Sequence, residues 1–403
     1  MLRWNGTTWV QVPGDNTAPE GDQFFLRAVS TRSTSDVWIA GQFSGHALTE
    51  HWNGSVWSQV SAPNAGIGSN ILNGVSGTSS SDVWGVGFYW FGTENRTLIE
   101  HWDGTAWNIV PSPNEYVRLN ALNGVVAISP SDAWAVGSDS SGNAPDQTTL
   151  TLHWNGTSWS IVPSPSPGTA GLNTLYGVAA NSADDVWAVG SFTNSGEYAQ
   201  TLIQHWDGTS WSVIPSANVP GSNNELFGVV ALGPNNVWAV GYSGNAAFGF
   251  FTLVEHWNGS SWSIVSSPSP LGDDILYAVS GTGASDIWAV GRSRNSFTFK
   301  TSTLIEHWGG NSWSQVFGAG GENSALYGVG AVSPGDAWAV GESTGSALID
   351  RWNGSSWSVF PSPGIAGRLN AVTVITACDV WAVGQRYVEG VGLQTLNEHF
   401  TCE

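Results

Sequence analysis

An all-β ring of repeated four-stranded sheets is the fold that this sequence predicts, and three observations carry the prediction. The segment DVWAVG at Asp185–Gly190 occurs in eight versions within 403 residues, starting at Asp36, Asp82, Asp132, Asp185, Asn236, Asp286, Asp336 and Asp379. Successive starts are 43 to 53 residues apart, a period that marks stacked supersecondary units. Of the 25 tryptophans, 24 fall at three fixed places in the repeat, which leaves Trp90 alone outside it.

Each repeat divides into segments A to D. Segment A holds Leu-x-Gly/Ala-Val, as in LYGV at Leu175, and its small residues suit the crowded centre of a ring. Segment B is the DVWAVG run, apolar without alternation, as expected of a strand covered on both faces. Segment C ends in an aromatic residue, as in TLIQHW, and D follows a polar turn, as in TSWSVIP. All four are short apolar runs rich in Val, Ile and Trp, broken by Gly, Asn, Asp, Ser and Pro, which is strand chemistry. The turn between C and D is Asn-Gly or Asp-Gly at Asn5, Asn53, Asp103, Asn155, Asp207, Asn258 and Asn353, with Gly309–Gly310 once. Such pairs predict a type I′ hairpin with positive φ at both central residues. Five of these asparagines also head N-x-Ser/Thr sequons, as does Asn95, but the turn accounts for them. The tryptophans of B, C and D fill the outer parts of each sheet, each contributing up to about 4 kcal/mol by buried area.

Four antiparallel strands at this period predict a β-propeller of eight blades, a single domain over residues 1–403. The chain starts with LRWNGTTWVQV, the end of a C segment followed by a D segment, and finishes with B and C but no D. The N-terminal strand is therefore expected to complete the last blade and close the ring. Cys378 precedes the Asp that opens the last B segment, and Cys402 follows the Phe400 that ends its C segment. A disulfide across that hairpin is expected, and with it an oxidising compartment.

Eleven Lys plus Arg against 31 Asp plus Glu give a net charge of −20, which repels phosphate backbones and anionic lipid. That balance disfavours nucleic acid as a partner, and no apolar run predicts membrane insertion. The opening MLRWNG has neither the basic nor the apolar part of an export signal, so a mature form or an excised domain is expected.

The order of parts resembles the kelch-type propellers, the class that includes the central domain of galactose-oxidase-like proteins. The resemblance spans the whole chain: a GV-containing inner strand, an aromatic run ending in Gly (DVWAVG), an aromatic residue, polar turn and Trp (HWNGTSW), and a Pro-containing connection (PSP). One Gly stands where the family has a Gly-Gly doublet, and the turn before the last Trp is shorter. The copper site of the oxidases in that class draws on Tyr, His and Cys ligands. With both cysteines committed to one blade edge, no equivalent site and no cofactor is expected here.

Seven of the eight histidines precede the C-segment aromatic: His51, His101, His153, His205, His256, His307 and His399. Standing in seven different repeats, they are expected to bond the Asp that opens B rather than converge on a metal. Function is expected where the repeats disagree. The A-to-B and C-to-D connections are nearly constant in length, the D-to-A and B-to-C connections vary, and in a propeller the two sets emerge on opposite faces. The variable B-to-C segments carry Tyr89, Trp90, Phe91, Tyr198, Phe248 and Phe250, residues suited to stack on a sugar or anchor a protein. Arg292, Arg294 and Lys300 gather positive charge in one loop, and Arg27, Arg118 and Arg368 lie at or near the start of strand A, by the channel mouth. Glu225, Asp273, Asp274 and Glu322 of the D-to-A connections are weak candidates for Ca²⁺, or for a carboxylate pair in glycoside hydrolysis. The leading expectation is a non-enzymatic bacterial propeller, extracellular or on the cell surface, that binds a glycan or protein ligand through its variable face. A carbohydrate-active hydrolase or lyase and a structural surface protein are the alternatives.

Overall fold

The structure, a computed structural model, describes residues 2–4, 9–11, 23–115, 118–141, 147–169, 171–245, 249–360, 366–389 and 392–401. Among them there is no helix. In the fourth repeat, strands A (Leu172–Ser182), B (Asp185–Thr193), C (Ala199–Trp206) and D (Trp211–Val213) pair in that order as an antiparallel sheet. The other repeats follow the same order, and a bridge between Asn95 and Leu119 joins the second sheet to the third. Seven of the B strands open at the Asp of the motif, and that of the fifth repeat opens at Val237. The sheets make a multi-bladed propeller.

The packing between repeats is a relay of indoles. Trp134 of the third B strand lies 4.7 Å from Trp206 and 5.1 Å, edge-on, from Trp211, the two tryptophans flanking the next C-to-D turn. Trp38, Trp84, Trp187, Trp238 and Trp288 repeat this arrangement with the repeat that follows. Trp381 of the last B strand packs at 5.0 Å on both Trp52 and Trp57 of the first repeat. At Trp338 the two partners are Phe400 at 4.6 Å and Phe360 at 5.2 Å, so Phe360 takes the edge-on place that a D-strand Trp holds elsewhere.

The other side of seven of the eight indoles is covered by the histidine before the C-strand aromatic. His101 stacks on Trp84 at 4.1 Å and its Nε2 meets Asp82 Oδ1 at 2.7 Å. The same His to Asp bond recurs at His51, His153, His205, His307 and His399, while His256 meets Asn236. In the seventh repeat Arg351 replaces His, bonding Asp336 at 3.2 Å and lying over Trp338 at 4.8 Å. Burial pushes the Asp82 carboxyl up, but hydrogen bonds from His101 and Thr78 outweigh it and hold the group below the usual range.

Two details depart from the sequence prediction. The loop between Trp52 and Trp57 is four residues long rather than two, and only Gly54 takes positive φ, +92°. Asn53 Oδ1 accepts the amides of Ser55 and Val56 at 3.0 Å each, so the short acceptor holds the turn without entering the left-handed region itself. At the N-terminus, Leu2–Trp4 pairs in parallel with the last C strand (Gly392–Thr401), and Trp9–Gln11 pairs antiparallel on its outer side. That sheet has five strands instead of four, because the N-terminal C and D segments dock as one hairpin rather than donating D alone.

The inner strands meet at the centre through a bulge that recurs in every repeat. In the fourth, the A-to-B register shifts between Leu175 and Gly177, which turns Tyr176 out of the ladder. Gly190, the last residue of DVWAVG, lies opposite that bulge, and a Cβ there would collide with the Thr174 carbonyl. The corresponding bulge residues are Arg27, Asn73, Asn123, Phe227, Tyr277, Tyr327 and Asn370. Three of them stitch neighbouring repeats: Asn73 Nδ2 donates to Leu122 O, Asn123 to Leu175 O, and Asn370 of the last repeat to Leu26 O of the first, at 2.9, 2.8 and 2.7 Å.

Carboxyls lie buried two residues before the C-strand Trp: Glu50, Glu100, Glu255, Glu306 and Asp350. Burial raises Glu100 and Glu255 to about 8, Glu50 to about 7 and Asp350 to about 6, and it pushes Glu306 well above its ordinary value. Among the described residues neither Glu100 oxygen has a hydrogen-bond partner, and Leu152 fills the same place in the third repeat.

Gly190→Ala is expected to lower stability by about 3 kcal/mol or more, read from denaturant melts, since the bulge backbone has nowhere to move. The raised carboxyls set a pH dependence of a definite sign. The folded state keeps protons that the unfolded chain releases above its ordinary carboxyl pKa, so stability falls as pH rises from about 4.5 to 8, by up to about 1.4 kcal/mol per pH unit for each group. Glu100→Gln should therefore match the wild type at pH 5 and exceed it at pH 8. Equal pH profiles of the two proteins would show that Glu100 does not contribute.

Candidate ligand-binding face

The constant turns share one face. Trp52 Nε1 donates to Thr34 O at 3.1 Å, which ties the C-to-D turn to the A-to-B turn, and Trp102, Trp154, Trp257, Trp308 and Trp352 do the same. The variable connections are laced together on the other face. Asn70 N donates to Gly45 O, Asn95 N to Arg118 O and Gly367 N to Gly345 O, each bond tying a B-to-C hairpin to the connection entering the next repeat.

The A strands begin at this variable face, so the bulge residues sit in the channel just below it. A cavity of about 490 Å³ is lined by Phe25, Arg27, Asn73, Asn123, Tyr176, Arg368, Asn370 and Gln385. Around the rest of the channel runs an aromatic arc, Tyr176–Phe227–Tyr277–Tyr327, with ring centroids 5.6, 6.1 and 5.7 Å apart. Charged groups attend the arc: Tyr242 donates to Glu225 at 2.8 Å, Tyr327 donates to Glu342 at 2.7 Å, and Arg368 lies 5.6 Å from the Tyr327 ring centre. Burial, and then these carboxylates, raise both Tyr hydroxyls above their ordinary value, so each stays a hydrogen-bond donor. Burial and the neighbouring charge of Arg368 lower the basicity of Arg27.

The aromatic candidates separate by environment. Trp90 and Phe91 end the second B strand and are 37% and 46% exposed, with Arg96 over the Phe91 ring at 4.7 Å. Tyr89 packs back onto the cluster that holds Trp38 and Trp107. Tyr198 is exposed and lines a second cavity, of about 430 Å³, with Glu197, Asn218 and Pro220. Phe250 lies edge-on against Tyr242 at 5.1 Å, and Phe248 lies outside the described residues. Arg368 reaches the channel cavity, whereas Arg118 is exposed and does not line it.

The loop cations and the connection acids neutralise each other. Arg292 and Arg294 approach Asp273 at 3.8 and 3.6 Å, and Lys300 Nζ donates to Glu322 at 2.6 Å. Asp274 is fully buried and accepts from Ser269 Oγ, Ser293 Oγ and the Leu271 and Gly272 amides, while Glu225 is taken by Tyr242. No group of three or more His, Cys, Asp or Glu among the described residues is placed to hold a metal. Sequence reasoning passed over most of the bulge residues, although a signal was there: the x of Leu-x-Gly/Ala-Val is a variable position inside a constant motif, reading Arg, Asn, Asn, Tyr, Phe, Tyr, Tyr, Asn.

No family model matches the chain, and no curated protein sequence does. Among solved structures, Sqt1 of Chaetomium thermophilum bound to the N-terminus of the ribosomal protein L10 is similar with a TM-score of 0.61 at 13% identity, over 96% of this chain and 100% of that one. YCF48 bound to D1 peptide is similar with a TM-score of 0.51 at 11% identity, over 98% of each chain. At such identities the likeness is one of fold, and it supports a β-propeller without supporting the kelch-type family.

The neighbouring acids Asp273 and Asp274 are expected to respond differently to removal. Asp273→Ala breaks only partly exposed ion pairs and should change stability by less than about 1 kcal/mol. Asp274→Ala strands buried donors and should cost at least about 2 kcal/mol, both read from denaturant melts.

Proposed function

We propose that the chain is a closed propeller of eight blades that binds a protein or peptide ligand at its variable face, without catalysing a reaction. The single observation that carries this reading is the channel cavity, where the repeats cease to agree and the bulges present Arg, Asn and Tyr side chains to one space. Two solved structures of similar fold hold a peptide or a protein N-terminus, which supports the class of ligand. Closure of the ring is supported by the Trp381 contacts with Trp52 and Trp57 and by the Asn370 to Leu26 bond. The kelch-like assignment rests on the order of parts in the repeat alone. A glycan ligand is the second reading, favoured by the exposed Trp90 and Phe91.

Cys378 is disulfide-bonded, while Cys402 lies outside the described residues. Since these are the only two cysteines, a Cys378–Cys402 bridge is proposed, and with it a secreted or cell-surface location. Intact mass should rise by two hydrogens on reduction, and two thiols open to alkylation in the native protein would remove the argument for export.

Binding is tested by a peptide array and a glycan array probed with wild type, Arg27→Gln, Trp90→Ala and, on the opposite face, Thr157→Ala. Peptide signals that fall at least about fivefold in Arg27→Gln and persist in Thr157→Ala are expected. Glycan signals that vanish in Trp90→Ala, with none for peptides, would replace the leading reading by the second.

A further inference from the structure

Arg27 and Arg368 come from the first and last repeats and line the same cavity. Elsewhere in this acidic chain Arg96 has Glu94 to hand, Arg292 and Arg294 have Asp273, and Lys300 has Glu322. Arg27 and Arg368 have no carboxylate within ion-pair distance among the described residues, and Arg368 Nε is buried without a hydrogen-bond partner. Two like charges on one wall repel each other, and among the described residues Arg368 meets the Tyr327 ring, 5.6 Å away, rather than a carboxylate. A site with uncompensated donors of this kind is complementary to an anion brought from outside.

The next wall of the cavity offers hydrogen-bond acceptors. Asn73 and Asn123 each donate one side-chain N–H, to the Leu122 and Leu175 carbonyls, which leaves the acceptor oxygen and one N–H of each amide. A ligand that satisfies both walls carries an anion and, within a few ångströms, N–H donors. A peptide carboxylate meets that description and inorganic phosphate does not. Tyr176 borders both the cavity and the aromatic arc, so an apolar side chain next to the acid finds rings to lie on.

We propose that this cavity anchors a carboxylate of a peptide ligand, Arg27 and Arg368 clasping the anion while Asn73 and Asn123 accept N–H groups of the adjoining backbone. The inference rests on the peptide-binding role proposed above and names its chemistry.

The test is fluorescence anisotropy of the full chain with two labelled hexapeptide pools, both amidated at the C-terminus so that side chains alone supply carboxylates, one containing Asp and Glu, the other Asn and Gln at the same positions. The acidic pool should bind at least about tenfold more tightly, a difference of about 1.4 kcal/mol, and lose that advantage in Arg27→Gln and Arg368→Gln. Its affinity should also fall as NaCl is raised from about 50 to 500 mM. If the arginines served the fold instead, the variants would unfold more readily, whereas relief of repulsion leaves the unfolding midpoint unchanged or higher. Equal affinity of the two pools would overturn the carboxylate anchor and leave peptide binding intact, and binding of neither pool would overturn both. Binding of oligogalacturonate or inorganic phosphate that depends on Arg27, with no response to the acidic pool, would assign the cavity to an acidic glycan or a small anion and overturn the proposal.

Discussion

The indole of seven of the eight B strands is held between two aromatic rings of the neighbouring repeat, with Trp338 drawing one of its two rings from its own repeat, and the spacing of the repeats depends on that contact. Trp134 between Trp206 and Trp211 is one instance, and Trp381 against Trp52 and Trp57 extends the relay from the end of the chain to its beginning. Ring packing of this kind is directional, so it fixes the angle between sheets as well as burying area. The histidine and its Asp hold the indole from the other side, which commits that pair to the framework. Residues that would suggest catalysis in another setting, His beside Asp beside Trp, are here the means of keeping a large ring in one rotamer.

A rigid outer framework permits variety at the centre. The inner strands need a bulge to bring their start into the channel, the bulge needs a neighbour without a Cβ, and Gly190 and its equivalents supply it. The residue that the bulge turns inward is then relieved of packing duty. It is Arg in one repeat, Asn in three and Tyr or Phe in four. The channel is accordingly polar and cationic on one side and aromatic on the other, an asymmetry that the near-identical sheets around it do not share.

Much of the framework was legible in the sequence because it is repeated. The B strands, their sheet order, the His to Asp bonds and the division into constant and variable faces follow from residues that recur at one period. What stayed hidden depends on relations that no repeat spells out. The C-to-D turn was misassigned because Asn-Gly suits two loop lengths, and the Trp52 to Trp57 pairing selects the longer. Arg292 and Asp273 were read as separate candidates, for an anion and for a cation, because 19 positions of sequence conceal that they face each other. Arg27 and Arg368 are legible as channel-mouth residues, but the other bulge residues are not, because loop length does not mark them and their variation is confined to a single position inside the constant Leu-x-Gly/Ala-Val motif.

The Asn370 to Leu26 bond spans 344 positions of sequence, and the Trp381 contacts with Trp52 and Trp57 span nearly as many. The first repeat therefore leaves the ribosome long before the surface that covers its outer tryptophans has been synthesised. During that interval Trp52 and Trp57 present an uncovered aromatic face, and the loop that must close is almost the entire polypeptide. Translation speed and chaperone occupancy of the nascent chain thus become determinants of yield, and a truncation near the C-terminus harms the start of the chain as much as its end.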